Sequence, residues 1–250
     1  MCHPDADTGV APIGDVRERS FTVDTAGASM PVFEAAPTRH SQGSVIVVHD
    51  IHGASDFYRD LARRYATVGY TSYLPDLFVR QGPLPERTRE AAFARSSTFS
   101  YQQSIDDLRH LISVLREHSS GKVGAVGFCM GGTLVMLLAS REPQLAAGVI
   151  YYGFPANPTP SELRPHEPIQ EADAVETPLL GFWGDQDHGV GMDNVERYRV
   201  GLAAAGKRHD FSIYPDLPHG FLTFDDSSPN FARSADSWNK TLQFFREYVD

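Results

Sequence analysis

Residues 123–134, Val-Gly-Ala-Val-Gly-Phe-Cys-Met-Gly-Gly-Thr-Leu, constrain this chain more than any other stretch. Val123 to Phe128 form an apolar run and the pattern from Thr133 to Ser140 is helical. The sequence therefore predicts a strand that turns directly into a helix, with Cys129 at the tip. At such a turn the strand and helix backbones crowd together, and Cβ atoms two residues before and after the tip would collide. Gly127 and Gly131 occupy those two positions. A helix starting directly after Cys129 aims free N–H groups and the positive end of its dipole at the sulfur, which favours thiolate and a developing oxyanion. Cys129 is thus a candidate nucleophile, although a glycine-rich turn around a small buried cysteine would read the same way.

The flanking chain alternates strand and helix patterns. Arg19 to Thr25 and Met30 to Glu34 alternate around Gly27 and suggest an edge hairpin. Ser44 to His49 is a β-branched run without alternation, as expected of a strand buried on both faces of a parallel sheet. Helical spacing follows at 55–67, 84–97 and 101–117, then at 194–205 and 231–248. Further strands are predicted at 70–74, 145–152, within 174–183 and at 208–214. This order implies an α/β domain: a doubly wound, mostly parallel sheet with helices on both faces. Residues 1–18 read as a flexible N-terminal segment and 19–250 as one domain. Between them only 154–176 breaks the rhythm; its five prolines exclude a regular helix or central strand and suggest an ordered loop or cap near a substrate opening, or a surface excursion.

A formal net charge of −10 argues against nucleic acid or an anionic membrane as the main partner, so any anionic ligand needs local arginines. The two cysteines, Cys2 and Cys129, do not suggest a structural disulfide, and no apolar run reaches the length of a signal peptide or a membrane span. A cytoplasmic protein, monomeric or dimeric, is the expectation. Cys2-His3 and His49-Asp50-Ile51-His52 are weak metal motifs, because neither supplies ligands at converging positions.

A thiol nucleophile needs a base, and the base needs a group that fixes its tautomer. In an open α/β sheet these come from loops at the carboxyl ends of strands. Gly184-Asp185-Gln186-Asp187-His188 and Pro215-Asp216-Leu217-Pro218-His219-Gly220 are two such loops. The order Cys129, Asp187, His219 is that of the α/β-hydrolases, with Asp185 as the competing acid.

These pieces, Gly127-Phe128-Cys129-Met130-Gly131-Gly132, Gly184-Asp185-Gln186-Asp187 and His219-Gly220-Phe221, resemble the dienelactone hydrolase family over about residues 18–250. Asp50-Ile51-His52-Gly53 is similar to that family's E-I-F-G run, and Asp76-Leu77-Phe78-Val79-Arg80 to its D-L-Y-x-R run. The resemblance implies an α/β-hydrolase fold and a Cys129–His219–Asp187 triad. It also implies that Asp50 contacts the resting thiol, that the Ile51 and Met130 N–H groups form the oxyanion hole, and that Arg80 binds a substrate carboxylate. Two positions depart from the pattern: Asp50 is one methylene shorter than the usual Glu, and Thr223 stands where a second carboxylate-binding Arg is usual. The expectation is a cofactor-free, metal-free hydrolase opening a small ester or enol-lactone through an acyl-cysteine. A broad short-chain or aryl carboxylesterase is the alternative, followed by a non-catalytic binding protein on the same fold.

Overall fold

The computed structural model describes residues 14–118, 121–157 and 161–250. Residues 1–13, most of the segment expected to be flexible, and Cys2-His3 with them, lie outside the described residues.

Eight strands form one sheet in the order β1-β2-β4-β3-β5-β6-β7-β8. β1 (Val16–Thr25) and β2 (Ala28–Pro37) are the predicted hairpin, closed at Gly27, and both β1–β2 and β2–β4 pair antiparallel. β1 begins inside the stretch read from sequence as terminal, because Val16 to Glu18 find partners at Pro37 to Ala35. From β3 (Ser44–Val48) and β4 (Thr71–Pro75) through β5 (Val123–Phe128), β6 (Leu145–Tyr151), β7 (Leu179–Gly184) and β8 (His209–Tyr214) all pairing is parallel. β3 and β5 are fully buried, which explains their unalternating apolar sequences.

The helices are α1 (Asp56–Thr67), α2 (Arg89–Ser96), α3 (Tyr101–His118), α4 (Met130–Ala139), α5 (Met192–Ala204) and α6 (Phe231–Tyr248). Residues 124 and 127 lie on opposite faces of β5. A Cβ on Gly124 would meet Phe245 and Val249 at the end of α6, whereas one on Gly127 would meet α4. Tyr65 of α1 packs on Trp238 and Phe245 of α6, and α3 packs on α4, so both faces are covered. α4 is buried at all ten positions, as a helix wedged between the sheet and α3 must be, and its run of Leu134 to Leu138 supplies about 1.5–3 kcal/mol per large side chain.

α2 is shorter than the 84–97 expected. Pro85 restricts the residue before it, and the Thr88 hydroxyl accepts the Ala91 N–H at 3.2 Å, which starts the helix at Arg89. Residues 84–88 are thereby left as loop. Among the described residues of the proline-rich segment, Ser161 and Arg164 form an isolated antiparallel bridge and Pro168–Gln170 and Ala172–Ala174 are 3-10 turns, and the Arg141–Glu171 ion pair ties the segment to the end of α4.

The chain leaves β3 toward β4 on one side and later returns to β5 on the other. That makes the crevice at the carboxyl ends of β3 and β5 the switch point of the sheet, where ligands bind in open α/β folds.

Candidate active site

Exclusion of side chains shapes the turn at Cys129. Its φ of 55° and ψ of −117° are left-handed, a conformation that costs a residue bearing a Cβ of order 1–3 kcal/mol and persists only where the surroundings enforce it. The Cys129 N–H donates to the Tyr151 carbonyl at 3.0 Å, and its carbonyl accepts from Thr133 N–H at 3.2 Å. A Cβ on Gly127 would lie 2.1 Å from the Gly131 carbonyl oxygen, and one on Gly131 would lie 2.1 Å from that of Val48. β5, α4 and the end of β3 therefore approach as only glycine allows, and the residue between them is pushed to the top of the sheet.

The next strands supply the acid and the imidazole. His219 Nδ1 and Asp187 Oδ2 are 2.6 Å apart, and Asp187 Oδ1 accepts the Val190 N–H at 3.2 Å. The His219 ring packs against Tyr152 and Phe154, with centroids 5.0 and 5.5 Å away, at the end of β6. Of the two loop aspartates, the structure brings Asp187 to His219. Asp185 instead accepts the Asp216 N–H at 2.8 Å and closes the turn after β8.

Cys129, Asp187 and His219 share the wall of one cavity of about 650 Å³ with Ile51 and Met130. Ile51 lies in the loop after β3 and Met130 is the first residue of α4. Among the described residues neither backbone N–H donates to a protein acceptor. Phe93, Tyr101 and Phe154 give the wall apolar area, while Arg87, Arg89 and Arg164 give it positive charge. Arg164 Nη2 donates to the Ser96 carbonyl at 2.6 Å, and its guanidinium lies 5.1 Å over the Tyr101 ring. Burial pushes the Tyr101 phenol up to about 12, Arg164 pulls it down, and the nearby Cys129 adds to the rise.

Arg80 lies elsewhere. It forms a two-point ion pair with Asp107 of α3, at 2.6 and 3.0 Å, and donates to Thr25 Oγ1 and the Ala26 carbonyl in the hairpin turn. Asp107 is buried, so its charge requires this partner. The three cavity arginines, not Arg80, line the cavity that Cys129 shares. Asp50 is fully buried, and its Oδ1 accepts the His52 N–H at 2.8 Å, an Asx-turn that closes the loop after β3. The cavity wall takes Ile51 and His52 from this loop rather than Asp50. Thr223 accepts the Asp225 N–H and caps a turn. Among the described residues no group of three or more His, Cys, Asp or Glu could hold a metal ion, and no helix is long and apolar enough to cross a membrane.

The sequence reading missed the three arginines. Arg87 and Arg89 were hidden in an expected helix, and Arg164 among prolines whose path no periodicity reveals. The one available signal for Arg164 was the proline-rich interruption itself, since Phe154 and Arg164 both come from it.

A glycine-flanked turn at Cys129 on the switch point of this sheet, with a carboxylate-bound histidine three strands away, defines an α/β-hydrolase. The model of the dienelactone hydrolase family matches residues 30–249, and the chain belongs to that family. It is 28% identical to a carboxymethylenebutenolidase of Rhodococcus opacus, over 100% of this chain and 98% of the relative. It is 32% identical to an Escherichia coli protein provisionally named carboxymethylenebutenolidase, covering 98% and 93% of the two chains. A solved Klebsiella pneumoniae structure, provisionally a dienelactone hydrolase, superposes with a TM-score of 0.87 at 30% identity, covering 94% of this chain and 100% of that one. The protein is accordingly a hydrolase of ester or lactone bonds.

Proposed function

We propose that this hydrolase works through an acyl-cysteine on Cys129 and acts on a small ester or enol-lactone. The observation that carries this reading is the pairing of His219 Nδ1 with Asp187 at 2.6 Å in the wall of the cavity that also receives Cys129. Asp187 holds the proton on Nδ1, which leaves Nε2 to exchange one with the thiol. Cys129 Sγ attacks the carbonyl carbon as Nε2 takes the thiol proton, and the Ile51 and Met130 N–H groups hold the resulting oxyanion. Collapse of the tetrahedral adduct expels the alkoxide or enolate, which takes the proton from Nε2 and leaves a thioester. Water, deprotonated by the same nitrogen, attacks that thioester and releases the acid and the free thiol. All the chemistry is supplied by protein groups.

The apolar wall and the engagement of Arg80 with Asp107 favour a broad aryl or short-chain ester range over recognition of a carboxylated lactone through Arg80. An anionic substrate would instead meet Arg164, Arg87 and Arg89. A thiol nucleophile also fits a reducing, cytoplasmic setting. The test is acid quenching during turnover of an aryl acetate, followed by peptide mass analysis. Acetyl on Cys129 is expected; steady turnover in Cys129→Ala would sink the proposal.

A further inference from the structure

The loop after β3 holds a buried histidine that takes no part in the proton transfers above. The peptide joining Asp50 to Ile51 carries the Asp50 carbonyl at one end and the Ile51 N–H at the other, and in a planar trans unit the two point in opposite directions. Whatever holds the carbonyl therefore aims the N–H. His49 Nδ1 lies 2.8 Å from that oxygen, and the Gly53 N–H donates to it at 3.1 Å. The other nitrogen of His49 fixes its tautomer. The Leu77 N–H can only donate, and it meets Nε2 at 3.1 Å, so Nε2 bears the lone pair and the proton sits on Nδ1. Nδ1–H therefore donates to the Asp50 carbonyl.

The surroundings keep this arrangement in place. The His49 ring is fully buried and stacks on Phe78 with centroids 5.5 Å apart, and burial lowers its basicity, which preserves the neutral form. The Arg95 guanidinium lies 3.9 Å over the same Phe78 ring, and its Nη2 donates to the Ile51 carbonyl at 2.9 Å. The two peptides flanking Ile51 are thus anchored separately, one by His49 and the next by Arg95.

We propose that His49 is a positioning residue for the transition state: it fixes the plane of the Asp50–Ile51 peptide and so preorganises the Ile51 N–H for the oxyanion, while Arg95 secures the following peptide. This rests on the Ile51 N–H being an oxyanion donor, as in the mechanism above. Preorganised donors act on charge that develops during reaction and add little to substrate binding, so the effect belongs in kcat rather than KM.

Two amide substitutions separate the functions of the ring nitrogens. His49→Asn keeps an N–H donor near the Nδ1 position, whereas His49→Gln places its amide near Nε2 and loses the bond to the Asp50 carbonyl. Each is compared with the parent in aryl acetate hydrolysis and in alkylation of Cys129 by iodoacetamide, a displacement at a saturated carbon that develops no oxyanion. His49→Gln should lower kcat about 10- to 100-fold with KM and the alkylation rate each within about twofold of the parent, and His49→Asn should recover most of kcat. An aldehyde analogue, whose thiohemiacetal oxygen occupies the oxyanion position, should bind His49→Gln about tenfold more weakly. Parental kcat in His49→Gln would overturn the proposal, as would an equal fall in kcat and alkylation, or equal losses in the two variants. If His49→Gln does not fold, Arg95→Lys reads the neighbouring anchor through the same ratio of turnover to alkylation. Full turnover in Cys129→Ala would instead remove the acyl-cysteine reading beneath it.

Discussion

The cavity has two walls built on different principles. On the side of β5 and α4, the neighbours of the reacting group are backbone atoms so close that a single Cβ would overlap a carbonyl oxygen. On the opposite side, Arg87 and Arg89 are exposed side chains, and Arg164 is held by a hydrogen bond to the Ser96 carbonyl. The first wall admits almost no substitution; the second consists of long side chains on loop and short helix. On the proposed mechanism the attacking side chain is therefore held by backbone that cannot vary, and preference among substrates lies in side chains that can.

That contrast is broken most directly at the nucleophile. Cys129→Ala should lower kcat by at least about 10⁴-fold on every ester tested, anionic or neutral, because it removes the attacking atom. Activity on even one substrate class near the parent level would mean that the fixed wall is not where the chemistry occurs.

Next in size is the acid. Asp187→Asn should cost about 10²- to 10⁴-fold in kcat through the wrong histidine tautomer, whereas Asp185→Asn should cost less than about tenfold. Equal losses in the two would dissolve the distinction between a triad member and a turn cap.

The variable wall is examined with a carboxylated ester and its methyl ester. Arg164→Ala should reduce the ratio of their kcat/KM values about 10-fold or more, the loss of one charge-assisted hydrogen bond. Arg80→Ala should leave that ratio unchanged while lowering unfolding free energy by about 3 kcal/mol, since it strands the buried Asp107 carboxylate. An unchanged ratio in Arg164→Ala would place anion recognition elsewhere.

The smallest effect concerns pH. Burial holds the His49 pKa below its ordinary 6.5, so the unfolded chain binds this proton more readily than the folded one. Stability from this residue is complete above pH 6.5 and declines as pH falls below it, by at most about 1.4 kcal/mol per unit. Denaturant midpoints of the parent should drop more steeply between pH 6.5 and 5 than those of His49→Asn; parallel curves would show that His49 protonates without cost.

Features that depend on near neighbours in the chain were legible in the sequence. The glycines at 127 and 131 announce the elbow, β-branched runs announce the central strands, and strand ends predict where Asp187 and His219 stand. What was not legible depends on long side chains reaching across the fold. Arg80 sits in a run similar to the family's carboxylate-binding motif, yet Asp107 on α3, 27 residues away, takes its guanidinium. Nothing local distinguishes that arginine from Arg164, which emerges from an irregular proline-rich loop. Helix length failed for a local reason: the Thr88 cap starts α2 at Arg89, beyond Pro85 and the polar Glu86 and Arg87.

The left-handed backbone at Cys129 sets durability against turnover. At φ 55° glycine would relax the strain that any side chain bears, so Cys129→Gly should unfold at higher denaturant than Cys129→Ala by an amount worth about 1 kcal/mol, despite being the smaller residue. Denaturation midpoints of the two inactive variants measure this difference, and a lower midpoint for glycine would refute it. On the proposed mechanism, a lineage screened only for thermal endurance would be drawn toward losing its nucleophile, and only selection on product formation would retain the cysteine.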